Sequence, residues 1–240
     1  MPKFIDRPSP NFDARAAGHP IDILLLHYTG MQSAEAALAR MCDPAAKVST
    51  HYCIDEDGSC IRLVDEGHRA WHAGVSTWGG ETDINSRSIG IELVNPGHEF
   101  GYRPFPEPQM LSLVELAGEI LGRHPIPPAR VLGHADVAPL RKQDPGELFG
   151  WARLAKAGIG LWPDAPASVT PPPIAEAQDM LRRYGYEVPA SGVLDAETKA
   201  VVVAFQRHFR PSNVSGALDG ETVGRLQALL ALVDGDATPA

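Results

Sequence analysis

Two histidines and one aspartate stand out as residues that could hold a catalytic metal ion. His27 ends the apolar run LLLH, His134 lies in GHADVAP, and Asp144 lies in RKQDPG. Two neutral imidazoles and a carboxylate are a donor set typical of catalytic zinc, which keeps its fourth position for water. The two histidines stand 107 positions apart, so only the fold can bring them together. The alternative without a metal is that His27 ends a strand and Asp144 caps the helix after Pro145.

The elements that would position these residues alternate between strands and helices. Ser33 is the expected N-cap of the first helix, and a turn between the second and third strands predicts a hairpin. Helices interleaved with strands predict an α/β fold with a mixed central sheet flanked by helices. Apolar runs predict strands over 21–26, 51–55, 60–65, 89–94 and 130–132, and helical spacing predicts helices over 35–41, 108–124 and 147–157.

The composition excludes several classes of protein. The chain has 240 residues, 44% of them hydrophobic, and a formal net charge of −9. This apolar content opposes intrinsic disorder, and the acidic balance opposes nucleic-acid binding, which needs clustered Lys and Arg. The three cysteines form no CxxC pair, so they indicate neither a disulfide scaffold nor a thiolate zinc site. We expect Cys42, Cys53 and Cys60 to be small buried or half-buried residues.

No segment has the pattern of a membrane span or a secretory signal. The N-terminal segment MPKFIDRPSPNF contains no apolar stretch. The longest apolar runs fall far short of the ~20 residues that cross a bilayer. We therefore expect a cytoplasmic protein without a membrane span, and a periplasmic location is the alternative if a leader was removed.

A proline-rich segment divides the chain into two parts. Residues 163–173 read PDAPASVTPPP, with five prolines in eleven positions, and this composition predicts a semi-rigid linker. Upstream, residues 1–162 carry eight of the nine histidines. Downstream, we predict a small domain over 174–233, followed by a tail over 234–240.

The downstream part contains an internal repeat. The sequence GVLDAET at 192–198 recurs as GALDGET at 216–222, and each copy precedes a helical pattern. Asp195 and Asp219 are the expected N-caps of these two helices. Together with a helix predicted over 174–184, they make a three-helix domain close to the lower size limit for independent folding.

Five segments between residues 8 and 160 carry specific motifs. In chain order they read LLLHYTG, VSTHYCIDEDG, RAWHAGVS, INSRSIGIELVN and LGHADVAPLRKQDPGELF. Taken together, they resemble the zinc-dependent N-acetylmuramoyl-L-alanine amidases of the type 2 amidase family. The downstream part, with its Q-x2-L, GY, G-x-LD-x-ET and AFQ motifs, resembles the small three-helix peptidoglycan-binding module. Both resemblances imply a protein that handles peptidoglycan.

The resemblance implies roles for five positions. His27, His134 and Asp144 match the ligands of one Zn²⁺ per chain, Glu92 matches the general base, and Lys142 matches the residue that stabilises the oxyanion. These residue types suit metal-assisted amide hydrolysis, which needs a base for water and a cation where negative charge develops. The alternative for Glu92 is an ordinary acid at a strand end, although an acid within an apolar strand is uncommon.

Further residues are candidates for contacts with a sugar-peptide substrate. Aromatic faces suit pyranose rings, and an arginine suits a substrate carboxylate. An asparagine that flanks the Glu92 strand is a candidate for hydrogen bonds to the stem peptide, with a turn role as the alternative. The candidates are Tyr28, Trp71, His72, Asn85 and Arg141.

The expected function is zinc-dependent hydrolysis of the amide bond between N-acetylmuramic acid and the L-alanine of muropeptides. A cytoplasmic location favours soluble 1,6-anhydro fragments as substrate and a role in peptidoglycan recycling, with a muropeptide as the partner. Two alternatives stay open. One is an exported amidase that trims the wall itself, which the downstream module suits, and the other is a non-catalytic muropeptide-recognition protein.

Overall fold

Eight short strands form two sheets in the computed structural model, which describes residues 4–164 and 169–236. They are β1 (Phe4–Asp6), β2 (Phe12–Ala14), β3 (Ile23–Tyr28), β4 (Tyr52–Ile54), β5 (Cys60–Arg62), β6 (His68–Ala70), β7 (Ser88–Leu93) and β8 (Val131–Gly133). Six of them form one sheet in the order β1-β5-β4-β7-β3-β8. β2 and β6 pair separately as an antiparallel ribbon. The predicted mixed central sheet is confirmed.

Helices pack on the faces of the sheet and make up the C-terminal part. Over the described residues they are α1 (Ala34–Cys42), α2 (Ile84–Arg87), α3 (Gly97–Phe100), α4 (Glu107–Arg123), α5 (His134–Val137), α6 (Trp151–Lys156), α7 (Ile174–Tyr184), α8 (Ala196–Phe209) and α9 (Gly220–Asp236). Ser33 caps α1 as predicted, because its Oγ accepts a hydrogen bond from Ala36 N at 3.2 Å. The helix predicted over 147–157 begins only at Trp151, because the preceding residues form a turn in which Phe149 N donates to Gly146 O at 3.3 Å.

The centre of the large sheet is parallel. β3 pairs in parallel with β7 on one side and with β8 on the other. β4 pairs in parallel with β7 and forms the predicted antiparallel hairpin with β5. The register places Glu92 opposite His27, and Gly133 opposite Leu26. The carboxyl ends of β7, β3 and β8 therefore lie side by side at one edge of the sheet.

β3 is apolar along most of its length because both of its faces are covered. Leu24 and Leu26 belong to an apolar cluster with α4, whereas Ile23 and Leu25 belong to a cluster that includes C-terminal helices. A parallel strand covered on both faces has a continuous apolar run, which explains why the run over 21–26 predicts a strand. The observed strand is displaced by two residues because its pairing with β7 continues to Tyr28.

α7, α8 and α9 form a three-helix unit whose internal repeat has a structural cause. The buried amide of Gln178 accepts a hydrogen bond from Gly192 N at 2.8 Å and donates to Thr198 Oγ1 at 2.8 Å. Gln206 makes the corresponding pair of hydrogen bonds in the second copy of the repeat. Asp195 caps α8 as predicted, since its Oδ1 accepts from Thr198 N. Each glutamine therefore holds one G-x-LD-x-ET loop against the start of the next helix.

The three-helix unit packs directly on the N-terminal region. Leu25 and Leu132 of the sheet share one buried apolar cluster with residues of α7 and α8. The ring of Trp78 stands edge-on to Tyr184 and Tyr186, with centroid separations of 5.4 and 4.9 Å. The two regions therefore share a hydrophobic core in addition to the chain segment that joins them.

Two predicted segments are described only in part. Residues 165–168 of the predicted linker and residues 237–240 of the predicted tail lie outside the described residues. Within the described part of the chain, α9 extends to Asp236 and so enters the predicted tail. No helix among the described residues combines the length and apolar character needed to span a bilayer.

Candidate functional site

The candidate metal ligands meet at the carboxyl end of the parallel strands. His27 lies near the end of β3, and His134 begins α5 directly after β8. Asp144 lies in the loop between α5 and α6. Ligand sites of α/β sheets form at the carboxyl ends of adjacent parallel strands. The fold therefore brings together residues that are far apart in the sequence.

Three donor atoms converge at this edge of the sheet. His27 Nδ1 lies 2.9 Å from His134 Nδ1, and each of these atoms lies 3.1 Å from Asp144 Oδ2. All three side chains are buried. Within the described residues, this is the one group of His, Cys, Asp and Glu side chains whose donor atoms lie close enough to hold a metal ion.

Both imidazoles have their second nitrogen engaged away from this cluster. His134 Nε2 donates to the carbonyl oxygen of Ala73 at 2.9 Å. His27 Nε2 lies 3.0 Å from His72 Nδ1, and His72 Nε2 lies 3.3 Å from Ser88 Oγ. A proton on each Nε2 leaves the Nδ1 lone pairs free at the centre of the cluster. This outer hydrogen bonding is the usual way in which proteins orient metal-binding histidines.

Burial and the neighbouring charges set protonation states in the cluster that favour binding of a cation. Burial, reinforced by His134, lowers the pKa of His27 to about 4. Burial alone would raise the pKa of Asp144, but its contacts with His134 and His27 outweigh that effect and hold this pKa well below its usual value. At neutral pH, His27 is therefore neutral and Asp144 is ionised. These are the protonation states that bind a divalent metal.

Glu92 lies beside His27 across the β3–β7 pair, and one of its oxygens is unpaired. Its Oε2 is shielded from solvent and has no hydrogen-bond partner among the described residues. Burial and the negative charge of Asp144 raise the pKa of Glu92 to about 8, whereas Lys142 lowers it. An unpaired buried carboxyl oxygen is unfavourable unless a ligand completes it. Its place beside three converging donors fits a site that takes up a cation and a reacting group.

Lys142 adds a positive charge at the same edge. Its charge lies within electrostatic reach of the cluster, because it lowers the pKa of both His27 and Glu92. With Tyr28, Asp144 and neighbouring residues it lines a cleft of about 320 Å³. The structure thus brings together all five residues to which the sequence assigns metal or catalytic roles.

A larger cavity lies elsewhere, and its polar groups are already paired. It has a volume of about 530 Å³ and is lined by Tyr52, Glu66 and Arg123 among others. The carboxylate of Glu66 accepts hydrogen bonds from Tyr52 Oη and Arg123 and contacts His124 Nε2 at 2.7 Å. These side chains are paired with one another, so they leave no group unpaired to bind a ligand. The larger volume of this cavity therefore does not identify it as the functional site.

Two of the predicted substrate residues are enclosed and paired within the protein. His72 is buried behind His27, where its ring lies so close to β7 that a Cβ on Gly90 would come within 2.7 Å of it. Asn85 is also buried, and its Oδ1 accepts from the backbone N of His72 and of Ala73 at 3.1 and 2.8 Å. Both side chains already have partners inside the protein, and their contact with substrate stays a prediction. A glycine inside an apolar strand was the sequence signal for this close approach.

The other three substrate candidates differ in their distance from the cleft. Tyr28 lines it, and its Oη lies 2.9 Å from His98 Nδ1. Arg141 is exposed at the rim, and its guanidinium donates to backbone carbonyls of the segment 73–75. Trp71 is turned toward the β2–β6 ribbon, where its Nε1 donates to an aspartate of β2 at 2.7 Å. Its place in a substrate groove stays a prediction.

Both regions of the chain match known families. Residues 17–147 match the family described as N-acetylmuramoyl-L-alanine amidase. Residues 170–226 match the family described as a peptidoglycan binding domain. The two matches follow the division of the chain into a sheet region and a three-helix unit.

Individual proteins match nearly the whole chain. The N-acetylmuramoyl-L-alanine amidase AmiD of Escherichia coli strain K12 is 40% identical over 238 residues, which cover 90% of this chain and 85% of that protein. The structure of E. coli AmiD in complex with the substrate anhydro-N-acetylmuramic acid-L-Ala-D-γ-Glu-L-Lys has a TM-score of 0.81 at 39% identity, covering 90% of this chain and 91% of that one. The structure of AmpDh3 from Pseudomonas aeruginosa in complex with an anhydromuramic pentapeptide has a TM-score of 0.81 at 34% identity, covering 95% and 98%.

Proposed function

Because the chain belongs to the N-acetylmuramoyl-L-alanine amidase family, we propose that it hydrolyses the amide bond between 1,6-anhydro-N-acetylmuramic acid and the L-alanine of soluble muropeptides. The observation that carries this proposal is the cluster of His27, His134 and Asp144 beside the unpaired carboxyl group of Glu92. The similarity to AmiD and AmpDh3, each solved with an anhydromuramyl peptide, supports the substrate form.

We propose that the cluster holds one Zn²⁺ ion. His27 and His134 would bind it through Nδ1 and Asp144 through Oδ2, since these are the atoms that converge. Two imidazoles and one carboxylate with an open fourth position are typical of catalytic zinc. When bound, zinc supplies a Lewis acid that polarises the scissile carbonyl and activates water near neutral pH.

Glu92 is the proposed general base. Its carboxylate accepts a proton from the attacking water and then delivers it to the amine of L-alanine as the C–N bond breaks. The products are the lactyl carboxylate of the sugar and a free stem peptide. Burial raises the pKa of Glu92 toward neutral pH, and a general base is most effective when its pKa lies near the pH at which it works.

Lys142 and the rim of the cleft complete the proposed active site. The ammonium group of Lys142 would stabilise the negative charge that develops on the carbonyl oxygen, because a cation held there lowers the barrier to reaction. Tyr28 offers an aromatic face for the sugar from within the cleft. Arg141 offers its exposed guanidinium to a carboxylate of the stem peptide.

The proposed setting is peptidoglycan recycling in the cytoplasm. Cys42, Cys53 and Cys60 are free thiols, as is usual for proteins of reducing compartments. Fractionation of cells, with detection of the native protein, tests this setting. Recovery in the periplasmic fraction would contradict it and would favour the wall itself as substrate.

A direct assay tests the proposed reaction. Purified full-length protein loaded with zinc is incubated with a soluble 1,6-anhydromuropeptide and, in parallel, with intact sacculi. We expect free stem peptide from the anhydro fragment, with loss of activity on chelation and recovery on addition of zinc, and slower release from sacculi. The absence of zinc-dependent release from either substrate would contradict the amidase function. Equal or faster cleavage of sacculi would contradict the recycling role.

A further inference from the structure

Helix α8 of the three-helix unit lies against both loops that carry the candidate metal ligands. We propose that Tyr186, Arg207 and His208 of this unit are positioning residues for the metal centre in the N-terminal region. This inference rests on the proposed function and extends it, because it gives the C-terminal unit a part in the reaction that is separate from binding of the cell wall.

The first contact is made to Asp136, which lies two positions after His134. Asp136 is only 2% exposed and contacts three donors: Gly133 N at 2.7 Å, Tyr186 Oη at 2.6 Å and His208 Nδ1 at 2.7 Å. Two of these donors belong to the C-terminal unit. A buried carboxylate needs such donors to offset its desolvation. The unit therefore holds Asp136, and through Gly133 it holds the turn that presents His134.

The ring of His208 is fixed in the orientation that this hydrogen bond requires. It stacks on Trp151 of the N-terminal region, with centroids 3.6 Å apart and planes at 19°. On its other side it stacks on Phe209, with centroids 3.8 Å apart and planes at 6°. The ring is thus held between two aromatic side chains, one from each region, with Nδ1 directed at Asp136.

The second contact is made to the loop that carries Asp144. Arg207 donates to Gln143 Oε1 at 2.9 Å and to Glu147 Oε2 at 3.3 Å. Gln143 stands directly between Lys142 and Asp144 in the sequence. Arg207 therefore supports the loop on both sides of the candidate ligand, immediately beside the proposed oxyanion-stabilising residue.

The two supported loops are also joined to each other. Ala135 N, next to His134, donates to the backbone oxygen of Asp144 at 2.8 Å. A displacement of either loop would therefore change the spacing of the donor atoms, which now lie 2.9–3.1 Å apart. Residues that orient metal ligands from outside typically change metal affinity or activity by about 10–100-fold when they are altered.

The test uses two variants of the full-length, zinc-loaded protein. Tyr186→Phe removes the hydroxyl that donates to Asp136 without changing the packed ring, and Arg207→Ala removes the support of the Asp144 loop. The measurements are the rate of zinc loss to a chelator at 25 °C, and kcat and KM on the anhydromuropeptide. We expect both variants to lose zinc about tenfold faster and to have a lower kcat, with little change in KM.

Matched controls separate positioning from general stability. Tyr184→Phe removes a hydroxyl from the neighbouring buried tyrosine of the same shared core, whose hydroxyl does not contact Asp136. Arg183→Ala removes an exposed arginine that pairs with Asp234 at 3.2 Å, far from the ligand loops in sequence. Urea unfolding establishes that all four variants are folded at 25 °C. A purely structural role lowers the unfolding midpoint without accelerating zinc loss from the folded protein.

The outcomes distinguish this inference from the proposed function. The positioning role would be overturned if Tyr186→Phe and Arg207→Ala equalled their controls both in the rate of zinc loss and in kcat. A wild-type protein that keeps zinc but releases no stem peptide would contradict the proposed function, while the comparison of zinc loss still decides the positioning role. A wild-type protein that binds no zinc would overturn both.

Discussion

The buried glutamine amides of the three-helix unit are paired within that unit, whereas the buried donor atoms at the edge of the sheet converge on one another. The amides of Gln178 and Gln206 each find donors and acceptors within their own copy of the repeat. At the edge of the sheet, two imidazole nitrogens and a carboxylate oxygen face one another, and Glu92 Oε2 has no partner among the described residues. A paired buried group stabilises the fold, whereas the unpaired carboxylate oxygen of Glu92 carries a desolvation cost that a ligand beside the converging donors would offset.

The convergence of several donor atoms on one centre separates scaffold from site more sharply than residue type does. Both regions contain buried histidines, and both contain aspartates at the start of loops or helices. What distinguishes His27 and His134 is that their lone pairs point at a shared centre, whereas the His208 ring is stacked and hydrogen-bonded to Asp136. Isosteric substitutions made in both regions therefore test the assignment directly.

The largest effect is expected from a change of aspartate to asparagine. Asp144→Asn removes the charge that would hold the metal, so we expect substoichiometric zinc and a loss of kcat/KM of at least about 10³-fold. The matched change Asp195→Asn in the three-helix unit leaves a good helix cap and should preserve both quantities. Elemental analysis and steady-state kinetics provide the measurements. Full zinc content in Asp144→Asn would exclude Asp144 as a ligand.

A smaller effect is expected from the proposed base. Glu92→Gln keeps the shape of the side chain but cannot accept a proton, so kcat should fall by about 10³-fold while zinc content is unchanged. Glu176→Gln, at the exposed start of α7, serves as the control and should retain wild-type kcat. If Glu92→Gln retained its kcat, another group would have to act as the base.

The third effect concerns both rate and pH dependence. Lys142→Met removes a cation beside the developing negative charge, so kcat should fall by about 10²-fold. Lys142 also lowers the pKa of Glu92, so its removal raises that pKa. The base acts in its ionised form, so the acid limb of the pH profile, along which activity falls as the pH is lowered, should shift to higher pH. The pH profile of kcat/KM measures this shift, and Lys156→Met on the surface of α6 is the control.

An unshifted acid limb in Lys142→Met would contradict the electrostatic coupling between Lys142 and Glu92. If the acid limb did not shift but kcat still fell by about 10²-fold, the oxyanion role of Lys142 would remain supported. The two roles of this lysine are therefore measured separately in one experiment.

The smallest catalytic effect is expected in the repeat of the three-helix unit. Gln178→Met leaves Gly192 N and Thr198 Oγ1 without their partner, so the free energy of unfolding should fall by about 1–3 kcal/mol. The kcat of the folded protein should not change, because Gln178 contacts neither ligand loop. Urea denaturation measures the loss, with the exposed Gln227→Met in α9 as control. A reduced kcat at full folding would show that this region is coupled to the site more widely than through α8.

Local patterning predicted the elements whose formation depends on local periodicity. The strand over 21–26, the helix that became α4 and the cap of α1 all follow from apolar spacing or capping chemistry within a few residues. The helix predicted over 147–157 failed at its start, because residues before Trp151 form the turn that closes the Asp144 loop. The strand β2 has only three residues and all of them are exposed, so it is too short for its pattern to identify it, and its pairing with β6 defines it.

The sequence alone identifies the groups available for chemistry: two imidazoles, two carboxylates and one ammonium group, in segments with specific motifs. It also determined the repeat, because each glutamine lies in the helix that precedes its own loop and contacts that loop over a short chain distance. Which groups are free and which are enclosed depends instead on how the elements pack in three dimensions. His72 and Asn85 have side chains suited to a substrate, yet packing placed them behind His27 and against the backbone.

The tertiary structure also decided that the two regions meet at the ligand loops. His27 and His134 converge because β3 and β8 are hydrogen-bonded neighbours in a parallel register, and a register is set by packing across the whole sheet. Arg207 and His208 reach Gln143 and Asp136 because the apolar faces of both regions bury each other in one core. Contacts over such chain distances depend on how complete elements pack, and local patterns of residues do not encode them.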